Sequence, residues 1–264
     1  MDFSHRLIIL IAAVFFPFPW CGQGLCHEAT VWPKSPPSAQ SLVHDPDYPP
    51  ITESEWNNLV DAVTSGASSS IRVMRATVGL ERLSTLRAVD SLTILWLDAG
   101  IIDDQGLAEI AKNCPNLETL RVRFSSISDT GAACLTKLKK LRVLNLPHSR
   151  LSRAGIEHLQ ELPHLELLRI GGSRIDDQAV MEISLLPNLE SLHLIGPKLT
   201  EKSLEALARA PNLTCFYLDG CSIGEKGWQM LRQAKPELHI HLDQPHPDQP
   251  HPDQPQPDQP QPTR

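Results

Sequence analysis

Aromatic residues are scarce in this sequence: six Phe, five Trp and two Tyr make up 5% of 264 residues. A core built largely without them is aliphatic, and the 41% hydrophobic fraction is enough for a sizeable one. Positive charge is short as well. Twenty-four Lys and Arg stand against 31 Asp and Glu, a formal charge of −7, which lacks the basic footprint of nucleic-acid binding. No apolar run approaches the about 20 residues needed to span a bilayer. The run from Leu7 to Phe16 has ten. The six cysteines (Cys21, Cys26, Cys114, Cys134, Cys215 and Cys221) have no paired short spacing of the zinc type. Nor do they form the framework that small secreted domains need. A Gly-rich phosphate loop, G-x-S-x-G, H-E-x-x-H and C-x-x-C are all missing. No catalytic residue, metal site or cofactor is expected, and the chain does not read as an enzyme.

Proline divides what is present. The 23 prolines crowd into about 17–50 and 243–262, while leucine fills the middle. Residues 1–24 have the pattern of an export signal: His5 and Arg6, the apolar run, Pro17 and Pro19, then small residues at Gly22-Gln23-Gly24. An uncleaved anchor is the alternative. A lipoprotein is disfavoured, because Trp20 and Leu25 precede Cys21 and Cys26 where a small residue is wanted. The expected location is exported (periplasmic, cell surface or secreted), with no membrane span after cleavage. Residues 25–51 read as a Pro-rich linker. Residues 243–264 repeat DQPHP, DQPHP, DQPQP, DQPQP. Two prolines in five forbid helix and sheet ladders and favour extended polyproline II. That tail reads as a spacer or as a docking stalk for a wall or a proline-reading partner.

The middle is periodic. Blocks open at Leu92, Leu117, Leu141, Leu165, Leu189, Leu213 and Leu238, spaced 25, 24, 24, 24, 24 and 25. Each has the form L-x-x-L-x-L, five residues to another aliphatic, then a helical stretch. In the third block these are Leu141, Leu144, Leu146, Leu151, Ile156, Leu159 and Leu162. The alternation of Leu144 and Leu146 puts them on one face of a strand, and the spacing of Ile156, Leu159 and Leu162 makes one stripe of a helix. A single block cannot bury both faces, but stacked blocks share one core. Thr52-Glu53-Ser54-Glu55 reads as a capping box and Gly66 as a stop, so 52–70 is expected to hold a helix covering the first repeat. Residues 71–242 are the repeat domain. It begins with a degenerate unit, Ile71, Met74 and Ala76 in strand positions and Leu80, Leu83 and Leu86 in the helix stripe. It ends in an edge strand, Leu238 to Leu242, where His239 and His241 are too few for a metal site.

These blocks resemble the leucine-rich-repeat family, in particular its ribonuclease-inhibitor-like and cysteine-containing branches. The helix openings Ile102-Asp103-Asp104-Gln105-Gly106-Leu107, Ile127-Ser128-Asp129-Thr130-Gly131-Ala132 and Ile175-Asp176-Asp177-Gln178-Ala179-Val180 are similar to those of bacterial exported repeat proteins. The resemblance implies an α/β solenoid, with a curved parallel β-sheet on the concave face and helices on the convex face. Where the family places Asn or Cys after the strand, this chain has Gly100, Ser125, Ser149, Ser173, Pro197 and Cys221. The serines are expected to bond the turn backbone in their place. An irregularity is expected at Pro197, and blurred helix starts at Glu201 and Glu225. Cys221 and Cys114 read as structural and Cys134 as lying on the outer helix face. Asn212-Leu213-Thr214 matches a glycosylation sequon but includes a core leucine.

Residues between the strand leucines point over the concave wall. One column reads Trp96, Arg121, Asn145, Arg169, His193, Tyr217, and the next Asp98, Arg123, Pro147, Gly171, Ile195, Asp219. Trp, Tyr and Arg dominate interface hot spots. Arg121 is placed to lie on Trp96 and Arg123 to pair with Asp98. The expected function is a monomeric, non-catalytic scaffold. It would bind a protein or peptide, anionic in character, through Trp96, Arg121, Arg123, Asn145, Arg169, His193 and Tyr217. The alternative is a cell-envelope component tethered through its tail.

Overall fold

A computed structural model describes residues 45–87 and 89–243. The signal expected over 1–24, the linker up to residue 44 and the tail beyond Asp243 lie outside them. The chain alternates strand and helix: α1 (Glu53–Thr64), β1 (Ser70–Val78), α2 (Leu80–Leu83), β2 (Ile94–Gly100), α3 (Asp104–Asn113), β3 (Thr119–Val122) and α4 (Asp129–Leu135). It continues with β4 (Val143–Leu146), α5 (Arg153–Leu159), β5 (Leu167–Gly171), α6 (Asp177–Ile183), β6 (Ser191–Ile195), α7 (Glu201–Leu207), β7 (Cys215–Asp219), α8 (Glu225–Ala234) and β8 (His239–Leu242). The eight strands form one parallel sheet in chain order, and each helix from α3 onward packs on the next. This is the expected solenoid.

The period of 24 works because equivalent leucines stack. Leu144, Leu146, Leu151, Ile156 and Leu159 are 0% exposed, and the cluster containing them runs unbroken from Ile51 to Leu238. Each such side chain contributes about 2 kcal/mol by leaving water. At the start of the stack α1 is capped as read: Thr52 and Glu55 exchange hydrogen bonds, and Gly66 takes φ 78° after the last turn. Trp56 is fully buried and its indole N–H donates to Thr85 at 2.8 Å.

Five expectations need correction. In the first unit Ile71 and Val73 pair with Leu95 and Leu97, and a register shift follows Val73. Met74 is therefore not a core position but 45% exposed. The last linker residues are folded onto the domain: Thr77 N–H donates to Pro49 and Ile51 N–H to Thr77. Ser125 and Ser149 are buried, yet their hydroxyls bond nothing in the turns. The turns are tied instead by backbone bonds between repeats, Ser126 N–H to Ile102 and Arg150 N–H to Ile127. Pro197 causes no break, since β6 is as long as β5 and β7. Its missing N–H is not needed, because Gly196 N–H already donates to Asp219 and Lys198 N–H to Ile175. Helix α7 also starts crisply, with Thr200 capping Lys202 N–H, whereas α8 begins at Gly224 without a side-chain cap.

The helix-opening motif works between repeats as well as within one. Asp103 and Asp176 cap their own helices. The next acidic residue reaches forward instead. Asp104 accepts the N–H of Ser128 at 2.7 Å, Asp129 the N–H and hydroxyl of Ser152 at 2.7 Å each, and Asp177 the N–H and hydroxyl of Thr200 at 2.8 and 2.6 Å. Burial pushes the Asp129 carboxyl up, but the Ser152 bonds and Arg174 outweigh it and hold the group below its usual range.

In two repeats this ladder accounts for the glycine of the motif, whereas after Asp177 the position is Ser203, whose hydroxyl donates to that carboxylate. A Cβ on Gly131 would stand 2.4 Å from Asp104 Oδ1, and one on Gly155 2.5 Å from Asp129 Oδ1. Where the preceding repeat has Arg153 in place of the aspartate, the chain has Ala179. Helix propensity alone makes Gly→Ala stabilising by up to about 1 kcal/mol. Here the opposite sign is expected. Gly155→Ala should lower urea-unfolding stability by about 1–3 kcal/mol through overpacking against Asp129. A gain in stability would refute the packing role.

Candidate functional site

The strand register assembles one continuous column across the concave face. Arg72 pairs with Trp96, Trp96 with Arg121, Arg121 with Asn145, Asn145 with Arg169, Arg169 with His193, His193 with Tyr217 and Tyr217 with His241. Six of these eight were placed by the repeat spacing. Arg72 was missed because the first unit was read in the wrong strand register; the alternation of Ile71 and Val73 carries the signal. His241 lies 24 residues after Tyr217 and belongs to the column on that count alone.

Neighbours in the column stack. The guanidinium of Arg72 lies 4.3 Å from the Trp96 ring centre and that of Arg121 lies 5.5 Å from it, so the indole sits between two cations. At the other end Tyr217 stacks on His241 at 4.4 Å and meets His193 at 5.3 Å. The flat side chains present a wall of ring faces and guanidinium planes. Trp96 Nε1–H, Arg72 Nε–H and Asn145 Oδ1 are screened from solvent and have no hydrogen-bond partner.

The second column differs from expectation. Its charged members are not solvated: Asp98 is 4% exposed, Arg123 2% and Asp219 0%, and His193 of the first column is 8% exposed. The physical cause for Arg123 is a cover. Tyr48 packs with Phe124, Ala99 and Ile101, and Arg123 lies over the Phe124 ring at 5.1 Å. Nothing in the Pro-rich stretch around Tyr48 signals this by periodicity.

Beneath the stripe the buried charges form a network. Asp98 contacts Arg121 Nε at 2.7 Å, an ion pair without hydrogen-bond alignment, and Arg123 at 3.8 Å. His193 Nε2 and Asp219 Oδ2 are 2.6 Å apart. Burial draws the Arg123 and Arg169 guanidinium groups down to about 10, against the pull of Asp98 in both and of Asp219 on Arg169. Both stay cationic at neutral pH. Arg121, Arg123 and Arg169 thus outnumber Asp98 and Asp219, and Arg72 adds a fourth cation at the end of the column. In a protein of net charge −7 this face is locally positive.

Phe124 takes φ 55°, and its N–H donates to His148 Nδ1 at 3.1 Å while the two rings stack at 4.5 Å. A backbone donor at Nδ1 requires the neutral imidazole. Burial, then Arg123 and Arg169, lowers the pKa of His148 to about 4.

Of the cysteines, Cys114 is fully buried and its thiol is pushed up to about 12 by burial; Cys134 and Cys221 are half-buried against the core. Asn212 Nδ2 donates to the Pro187 carbonyl at 2.6 Å, as Asn188 does to Pro163, so the sequon asparagine serves the inter-repeat turn. Among the described residues no helix is long and apolar enough to cross a membrane.

Strand–turn–helix units with a stacked aliphatic core and an open parallel sheet make a leucine-rich-repeat solenoid fold. Residues 115–175 match the family model for leucine-rich repeats. Among solved structures, an internalin from Listeria monocytogenes is 19% identical with a TM-score of 0.52, over 71% of this chain and 51% of the internalin. Internalin C2 of the same organism is 18% identical with a TM-score of 0.52, over 81% of this chain and 100% of that one. The chain spans about half the length of the first of these, and at such identities the likeness is one of fold. No curated protein sequence matches the chain.

Proposed function

We propose that the chain is an exported, non-catalytic scaffold that binds a protein or peptide carrying anionic groups on its concave stripe. The observation that carries this reading is the stacked column itself. Trp96 lies between Arg72 and Arg121, and the arginines of this face exceed its buried carboxylates. A planar guanidinium recognises carboxylate or phosphate in two-point fashion. Aromatic and arginine anchors supply most of the affinity in protein interfaces. Trp96, Arg121, Asn145, Arg169 and Tyr217 are the contact residues, extended by Arg72 and His241. Arg123 and His193 act from below, as buried supports that fix the charge and orientation of their neighbours. Export rests on the apolar run Leu7 to Phe16 followed by small residues at Gly22 and Gly24.

The test begins with affinity capture on the immobilised chain and identification of the bound protein. The dissociation constant is then measured by calorimetry. Arg121→Ala and Arg169→Ala should each weaken binding by about 10–30-fold, and raising salt should weaken the wild type further. Unchanged affinity in the double variant would remove the concave stripe as the binding surface.

A further inference from the structure

The C-terminal end of the solenoid delivers an unusual segment to the stripe. Strand β8 is the edge strand, its His241 is the last member of the stacked column, and Asp243 closes it by accepting Gly220 N–H at 2.9 Å. Residues 244–264 follow immediately. They contain eight prolines, three aspartates (Asp248, Asp253 and Asp258), one arginine, Arg264, and two histidines, His246 and His251, counted neutral at pH 7. The segment is therefore acidic, and it begins at the rim of a locally cationic face.

We propose that this segment docks across the concave stripe of its own solenoid, as an intramolecular occupant of the surface that takes the partner. The inference rests on the reading of the stripe as an anion-binding surface. It adds what occupies that surface when no partner is present.

Reach and spacing both fit. Seven strand intervals of about 4.8 Å separate β8 from β1, roughly 34 Å. Twenty-one residues in polyproline II extend about 65 Å, enough to cross the whole face. The five-residue period places aspartates about 15 Å apart in that conformation. Measured from Asp243, Asp248 then falls about 15 Å away, beside Arg169 on β5, three strands or about 14 Å from β8. Asp253 falls about 31 Å away, between Trp96 on β2 and Arg72 on β1, at about 29 and 34 Å. The prolines have matching surfaces in the ring faces of Tyr217, His241 and Trp96, the kind of aromatic wall on which polyproline segments dock. A tether this short supplies an effective concentration in the millimolar range, so a weak contact suffices.

The experiment compares the full chain with a full-length variant carrying Asp248→Asn, Asp253→Asn and Asp258→Asn, at low ionic strength. The readout is the indole N–H resonance of Trp96, assigned with Trp96→Phe; the core indoles of Trp56 and Trp228 serve as internal controls. Docking shifts the Trp96 resonance between the two proteins and leaves the controls in place. A synthetic peptide of residues 244–264 added to the variant restores the wild-type position. Hexaglutamate binds the variant about tenfold more tightly than it binds the wild type, because the tail competes. Coincident Trp96 resonances and equal hexaglutamate affinities in the two proteins would overturn the docking of the tail, while leaving the stripe as an anion-binding surface. Failure of hexaglutamate to move Trp96 in either protein would overturn both.

Discussion

Asp98→Ala is expected to destabilise the domain by about 3–5 kcal/mol, the usual cost of removing one partner from a buried charge pair. The reason is what remains. Asp98 is 4% exposed and lies 2.7 Å from Arg121 and 3.8 Å from Arg123. Arg123 is itself 2% exposed, so removing the carboxylate takes away the anion that lies between two guanidinium groups, one of them buried. Burial already draws Arg123 down to about 10 with Asp98 in place. Urea unfolding of Asp98→Ala and Asp98→Asn measures the loss, which should be smaller for Asn because it keeps the shape and one polar contact. The double variant Asp98→Ala, Arg123→Met also removes the Arg123 charge and should recover a large part of the difference. A loss under about 1 kcal/mol for Asp98→Ala would mean that the pair behaves like an ordinary surface salt bridge.

The fold was legible because its determinants are local and repeated. A strand leucine such as Leu144 and a helix residue such as Ile156 carry their geometry in their spacing, and the same spacing recurs until chance is excluded. The capping box at Thr52 and the stop at Gly66 are equally local, and the structure reproduces both. The misreadings arise where a residue answers to a neighbour in another repeat. Ser125 and Ser149 occupy the family's polar column, but inter-repeat backbone bonds had already satisfied the turn. The forward reach of Asp104 and Asp129 cannot be seen from one helix start. It becomes visible only when Gly131, Gly155 and Ser203 are set against Asp104, Asp129 and Asp177 one repeat earlier, two making room for the carboxylate and the third donating to it.

The site was legible in position and less so in depth. Parallel in-register strands turn a column of letters into a row of neighbours, so Trp96 to Tyr217 could be placed from the sequence. Burial along that row depends on what lies over it, and Tyr48 is contributed by a segment outside the repeat period. The pairing of Asp98 with Arg123 followed from register alone, but its enclosure did not. Under the proposed function, Arg123 would therefore support the stripe from beneath rather than meet a partner directly.

The stacking of His148 on Phe124, beside Arg123, is expected to make the domain sensitive to pH. Its ordinary pKa of 6.5 falls to about 4 in the folded chain, with burial the first cause and the repulsion of Arg123 and Arg169 next. Above pH 6.5 neither the folded nor the unfolded chain protonates this ring, and it contributes no pH dependence. Between 6.5 and 4 the unfolded chain takes up a proton that the folded chain refuses, so stability falls as the pH falls. Below 4 both states are protonated and the effect levels off. The interval corresponds to about 3 kcal/mol in full and about 2.5 kcal/mol by pH 4.5. His148→Gln removes the titration while retaining an acceptor for Phe124 N–H, which the wild type supplies at 3.1 Å. Urea unfolding at pH 7 and pH 4.5 should therefore show a loss about 2–3 kcal/mol larger in the wild type than in His148→Gln. Other groups titrate in both proteins and cancel in that difference. Parallel losses would mean that His148 accepts its proton in the folded state and that the Phe124 bond yields to it. In that event the positive φ of Phe124 would relax with protonation, and the amide resonance of Phe124 would move through the same pH range.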